Sequence, residues 1–277
     1  MNKKEDITVP GSVYLCQISE SVSCGACCGL YNLANFSQEA LAKTLEKRTF
    51  EFARVPREVS EIIRFGEMEC RRTYHNQPFP EFHHCPYVGL IGYELSRVGC
   101  LLHPMAENNR GIDFRGLSYY GGMACRIYFC PVNRDLPQRI KNIVRACFDD
   151  WYDYGLIITE SDLIAAIFQE IETRLENRVY LQLLSSEALS KIYRLLTLKL
   201  NWPFRSPQWP IVNYFFEDRQ YNPPVIDYQT IRVKPSRYHT ILQGLGSQIP
   251  DAQTLNEAEG ILNMHFDSVI ESISLKK

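Results

Sequence analysis

Nowhere in the 277 residues does a run of apolar side chains approach the ~18 to 20 needed to cross a bilayer. A membrane span is therefore not expected. A secretory segment is missing too: the charged N-terminus is followed by Pro10, Gly11 and Gln17 where a continuous apolar stretch would stand. The expected compartment is the cytoplasm, whose reducing conditions keep thiols free for metals. Charge of one sign is scarce as well, with 30 basic against 32 acidic residues and a formal net charge of −2. No overall field gathers nucleic acid or an anionic membrane surface. Also absent are a P-loop, a G-x-S-x-G elbow and an H-E-x-x-H helix. The fragment Gly244-Leu-Gly246 lacks the third glycine of a dinucleotide fingerprint and reads as a turn. No acid, base or nucleophile can be named, so whether the chain is an enzyme stays open.

With 45% hydrophobic and 12% aromatic residues the chain has material for a real core, so cysteines are not needed to staple a small fold. All ten nonetheless lie between Cys16 and Cys147, and the last 130 residues hold none. The organisation expected is a cysteine-rich metal-binding region over residues 1–150 and a helical C-terminal region over 151–277, which can pack into the same domain.

Ser37 can cap a helix reaching about Arg48, and Pro56 can open another to about Met68 with Val59, Ile62 and Ile63 on one side. From Asn76 to Arg134 the chain is rich in Gly, Pro, Asn and His, which predicts loop and turn. After Pro137, the residues Ile140, Ile143, Val144, Cys147 and Trp151 keep helical spacing. Thr159 is placed to cap a helix carrying Leu163, Ile167, Phe168 and Ile171, and another starts near Ser186. Five prolines between Trp202 and Pro224 mark a connector. Val225 to Val233 is a candidate strand, and Thr254-Leu-Asn-Glu257 is a capping box for a final helix. The fold class is thus mainly α with small β elements, a loop-rich cysteine module packed on helices.

Seven cysteines fall in three tight groups: Cys24, Cys27 and Cys28, then Cys85 and Cys100, then Cys125 and Cys130. Such grouping in a reducing compartment reads as thiolates collected around metal. Cys24 and Cys27 form a C-x2-C pair, whose tight turn suits Gly25. In an extended chain Cys27 and Cys28 would point apart, so they share one metal only if the backbone bends there. Cys85-Pro86 and Cys130-Pro131 match the cysteine-proline pairs of iron–sulfur binding loops. Cys16, Cys70 and Cys147 read as small buried hydrophobes.

Cys24-Gly-Ala-Cys27-Cys28, Cys85-Pro86, Gly99-Cys100-Leu-Leu-His103-Pro104 and Ala124-Cys125-Arg126 resemble the CxxCxxCC (YkgJ-type) family of zinc- or iron-chelating proteins over about residues 16–150. The resemblance implies an oxygen-sensitive cluster or a structural ion, and names no reaction. Family members carry a further cysteine where this chain has Ser21, and Cys16 could replace it from further back, which leaves the number of first-group ligands open. His75, His83, His84 and His103 lie near the cysteines as ligands or as N–H donors to sulfur, His84 first among them. Arg71, Arg72, Arg110, Arg115 and Arg126 populate the same region, where guanidinium groups would offset thiolate charge; Arg126 adjoins Cys125.

The function expected is metal binding: an iron–sulfur cluster held by four of the seven grouped cysteines, serving a redox, sensing or enzyme-supporting role. The alternative is a non-catalytic module in which Zn2+ stiffens loops that a partner protein recognises. A third possibility is an enzyme with its pocket between the cysteine module and the segment Trp202 to Pro210.

Overall fold

A computed structural model describes residues 9–73, 77–80, 82–207, 212 and 224–274. The first helix starts as the sequence indicates, with the Ser37 hydroxyl accepting the Ala40 N–H. It continues past Arg48, so that α1 spans Gln38–Ala53, because Leu45, Arg48 and Phe52 prolong its buried face. Helix α2, Val59–Thr73, opens on the Glu58 carbonyl, which accepts the Glu61 and Ile62 N–H groups. Its buried face is Ile62, Phe65, Gly66 and Glu69, whereas Val59 and Ile63 are exposed. Gly66 sets that rotation. A Cβ there would stand 2.2 Å from the hydroxyl oxygen of Tyr87, which donates to the Ile62 carbonyl at 3.0 Å.

Fold class is as read: helices dominate, and the named strands form one two-stranded antiparallel sheet among the described residues. The sheet lies elsewhere than expected. Strands β1, Val88–Ile91, and β2, Arg97–Cys100, fall inside the stretch read as loop and pair Val88 with Cys100 and Gly89 with Gly99. The candidate strand at 225–233 is instead a run of turns, where the Asp227 carboxylate accepts the Gln229 and Thr230 N–H groups and the Thr230 hydroxyl.

Further along come α3, Gly121–Ile127, α4, Val132–Asp135, α5, Gln138–Cys147, α6, Trp151–Ile157, and α7, Ser161–Leu175. They are followed by α8, Ser186–Leu196, α9, His239–Gly244, and α10, Ala252–Ser274. Trp151 opens its own helix rather than ending α5. Helix α7 begins from Glu160, not Thr159, and no side chain caps it. Ser185 caps α8 by accepting the Ala188 N–H at 3.1 Å. At α10 the cap is Asp251, whose Oδ1 accepts the Thr254 N–H at 2.7 Å; Thr254 therefore sits inside the first turn, and the capping-box reading began one turn late. Gly246 is a turn residue, as read, with φ at +69° beyond the end of α9. Of the proline-rich connector, residues 208–211 and 213–223 lie outside the described residues.

The chain divides into two units. One comprises Tyr14–Cys130 with Asp149–Leu156, and the other takes residues 9–13, Pro131–Phe148 and the chain from Ile157 on. In the first, Phe52, Ile62, Phe65, Tyr87, Leu101 and Leu102 form a core into which Cys85 is packed. In the second, α10 packs against both α8 and α7, and Ile164, Phe168, Ile192, Leu262 and Phe266 on these three helices are buried. Among the described residues no helix is long and apolar enough to cross a membrane.

Candidate metal centre

All seven grouped cysteines belong to the first unit, and so does Cys16. Residues 16–24 form a hairpin: Gln17 bridges Ser23 in antiparallel fashion, and the Cys24 N–H donates to the Cys16 carbonyl at 2.8 Å. Cys16 and Cys24 share that register, which puts them directly opposite with side chains on the same side, ~5 Å apart at Cβ. Ser21 is exposed at the hairpin tip, where the Ser19 hydroxyl accepts the N–H groups of Ser21 and Val22.

The backbone does bend at the adjacent pair. Ala26–Cys28 is one turn of 3-10 helix, and Gly29 closes it in the left-handed region at φ +69°. The adjacent thiols of Cys27 and Cys28 act on each other, which holds Cys27 below the ordinary thiol range and, with burial, Cys28 above it. Beyond that mutual effect their neighbours diverge. Cys27 acts through space on Cys16 and Cys24, and Cys130 acts on the same two. Cys28 feels Cys85 and Cys100, each of which is within reach of Cys125 or of the other. Electrostatically the cysteines therefore fall into two neighbourhoods, Cys16, Cys24, Cys27 and Cys130 in one and Cys28, Cys85, Cys100 and Cys125 in the other.

Burial raises most of these thiols. Cys85 is pushed up to about 12 and Cys100 to about 11, in both cases by desolvation first and a neighbouring sulfur after it. Cys16 and Cys24 move up for the same reasons. Packing fixes the segments that carry them. The Cys85 N–H donates to the Cys28 carbonyl at 2.8 Å, and Cys28 and Cys100 pack on the core that includes Cys85. Cys125 is exposed, with its sulfur 3.1 Å from the Ser118 hydroxyl. The Tyr14 ring, two residues before Cys16, meets Phe129, the residue before Cys130, edge to face at 6.3 Å. As the side chains stand, no three of the described His, Cys, Asp and Glu residues converge where one ion could be held.

Arg48 organises the floor of the site. It is buried at 1% exposure, pairs through Nε with Glu69 at 2.9 Å, and donates to the carbonyls of Cys85 at 3.4 Å and Val88 at 3.0 Å. Its Nη2 lies 3.2 Å from His84 Nε2, while His84 Nδ1 lies 2.8 Å from the Gly29 carbonyl. Both ring nitrogens are engaged, Nδ1 as donor and Nε2 as acceptor, and burial with the Arg48 charge holds the imidazole neutral at a pKa of about 3. His84 is therefore a buttress and not the ligand suggested by its place beside Cys85. His83 stacks on Tyr119 with ring centroids 4.3 Å apart, and Tyr120 meets it edge on. His103 accepts the Met105 N–H at Nδ1. His75 lies outside the described residues.

Among the arginines the site selects Arg115 instead of Arg126. Arg115 forms a bidentate pair with Asp113 at 2.8 Å and is the cation that acts on Cys100, with Cys125 also in its field. Arg126 is largely exposed and approaches Asp113 at 3.5 Å. Arg72 pairs with Glu51 and Glu69, and Arg71 with Glu67. Cys70 is exposed and Cys147 half-buried, so the buried-hydrophobe reading fails for the first.

The closest backbone approach in the site is at Gly29, where a Cβ would stand 1.8 Å from the His83 carbonyl oxygen. Gly29→Ala combines that overlap with a left-handed φ, and is expected to cost about 2 to 4 kcal/mol. Urea unfolding checks it against Gly111→Ala, which has φ +81° but nothing within 4 Å of the added carbon and should lose only the conformational part. Equal losses at the two positions would mean that the turn and the His83 segment are not tightly docked.

No family model, no curated protein and no solved structure matches the chain.

Proposed function

We propose that the chain is an iron–sulfur protein with a redox, sensing or enzyme-supporting role, its ligands drawn from Cys24, Cys27, Cys28, Cys85, Cys100, Cys125 and Cys130. The observation that carries the reading is the gathering of these seven, scattered over more than a hundred residues, into one unit in which backbone hydrogen bonds tie the Cys85 segment to Cys28 and to the strand that ends at Cys100. The donor set fits: it is all sulfur, soft, and composed of thiols whose protons a metal would replace. Bound there, a cluster supplies one-electron exchange. The chain's own residues then do the rest. Ala26 aims its N–H at Cys24 Sγ at 3.5 Å, Arg115 sets a positive charge beside Cys100 and Cys125, and the core around Cys85 keeps water from that side. The cytoplasm, with its reduced thiols, is the compartment that suits this chemistry.

Structural Zn2+ is the competing reading, and the Arg48 network weighs against it. A unit whose loops are already tied by a buried arginine, by His84 and by Asn109, which donates to the carbonyls of Leu101 and His103, does not depend on an ion for its shape. A zinc-stiffened module should unfold on chelation, since such sites contribute on the order of 10 kcal/mol to folding. Anaerobic purification is expected to give a coloured protein with iron and inorganic sulfide that loses its visible absorption, but not its helical signal, when chelated. Colourless protein with zinc would favour the module, and protein with neither metal would remove both readings.

A further inference from the structure

We propose that the first unit builds two metal centres, the first held by Cys16, Cys24, Cys27 and Cys130 and the second by Cys28, Cys85, Cys100 and Cys125. This deepens the metal-binding reading above and depends on it; what is new is the second centre and the recruitment of Cys16.

The hairpin supplies the strongest reason. Ser21 is the solvent-exposed tip of that hairpin and carries no sulfur. Cys16 is five residues back on the opposite strand, in register with Cys24, so the fold returns a sulfur to the place the tip cannot reach. The edge-to-face contact of Tyr14 with Phe129 brings together the chain just before Cys16 and just before Cys130, which completes four. The second set is assembled differently. Cys28, Cys85 and Cys100 pack on one core, the Cys85 amide is tied to the Cys28 carbonyl, and Val88 pairs with Cys100 across the sheet. Cys125 joins through Ser118, which sits on the turn Arg115–Leu117 directly after its last residue.

Counting favours two centres over one. A single tetrahedral ion or cluster takes four thiolates and would leave four others pressed against its negative charge. Two centres use all eight and leave only Cys70 and Cys147 outside. Each cysteine has one rotatable side-chain bond, so closing either set asks for χ1 rotation on a backbone already fixed by hydrogen bonds. The adjacent thiols of Cys27 and Cys28, one in each set, place the centres side by side.

The test is metal and inorganic sulfide per chain in the full-length protein purified without oxygen, for the wild type, Cys16→Ser, Cys130→Ser and Cys100→Ser. Each single variant should hold half of the wild-type metal. Cys16→Ser with Cys130→Ser should still hold half, because one centre is lost once, whereas Cys16→Ser with Cys100→Ser should hold none. Full metal in Cys16→Ser overturns the assignment, as does complete loss in a variant that keeps the wild-type circular dichroism. If Cys16→Ser does not fold, Cys130→Ser carries the same comparison. A wild type holding one centre sinks this inference and leaves metal binding standing, and a wild type with no metal removes both.

Discussion

Arg48→Met is expected to destabilise the first unit by about 3 to 5 kcal/mol, the cost of breaking a buried ion pair from one side. The guanidinium is the shared partner of Glu69, His84 and the carbonyls of Cys85 and Val88, all buried. Methionine fills most of the volume, so the loss isolates the polar connections instead of a cavity. Glu69 keeps Arg72, but that contact reaches only Oε1, and Oε2 would face the interior alone. Adding Glu69→Gln should recover part of the loss, because a neutral amide is cheaper to bury than a carboxylate. Denaturant unfolding of the three variants measures both effects. A cost for Arg48→Met below about 1 kcal/mol would place Arg48 among pairs that merely break even.

Glu160→Ala should have a comparable effect in the second unit. Glu160 pairs with Lys199, which is buried at 1% exposure, and the charge of Arg205 also falls on it. Burial pulls the Lys199 ammonium below its ordinary range and Glu160 pulls it back up, so the ion persists because the carboxylate is there. Without the carboxylate, a loss of about 3 to 5 kcal/mol is expected. Lys199→Met in the same chain should restore most of it, since an apolar pair of similar volume often matches a buried salt bridge. Failure of that rescue, in thermal unfolding, would mean that the Glu160 carboxylate serves chiefly Arg205, whose charge it also offsets.

Local signals were the legible ones. Ser37 and Ser185 announce helices because a hydroxyl three residues from an amide needs nothing beyond its own neighbourhood. Asp251 and Thr254 both satisfy that rule, and only the observed bond decides between them. The sheet was illegible because its glycines read as turn formers. Gly89 and Gly99 are there for close packing: a Cβ on the first would stand 2.5 Å from Thr49 Oγ1, and on the second 2.1 Å from Ile91 Cδ1. Of the site, the grouped cysteines were visible and their partnership was not. Sequence spacing puts Cys27 with Cys28 and Cys125 with Cys130, whereas the two proposed centres divide each pair. Cys16 had a signal that could have been followed, since Ile18 and Val22 flank a polar turn at hairpin spacing and bring Cys16 opposite Cys24. Nothing local could have shown that Arg48 would claim His84.

The passage of the chain between its two units sets an order on biosynthesis. Residues 149–156 belong with the first unit, although 131–148 have by then joined the second. Tyr154 donates to the Leu15 carbonyl at 2.6 Å, and Tyr31 to the Tyr152 carbonyl at 3.0 Å. The strand bearing Cys16 is therefore latched by residues that leave the ribosome well after Cys130. Throughout that interval Cys16 and the seven grouped cysteines have emerged while the clasp that secures the earliest of them has yet to be made, and a nascent chain stalled before residue 149 would leave its thiols unlatched.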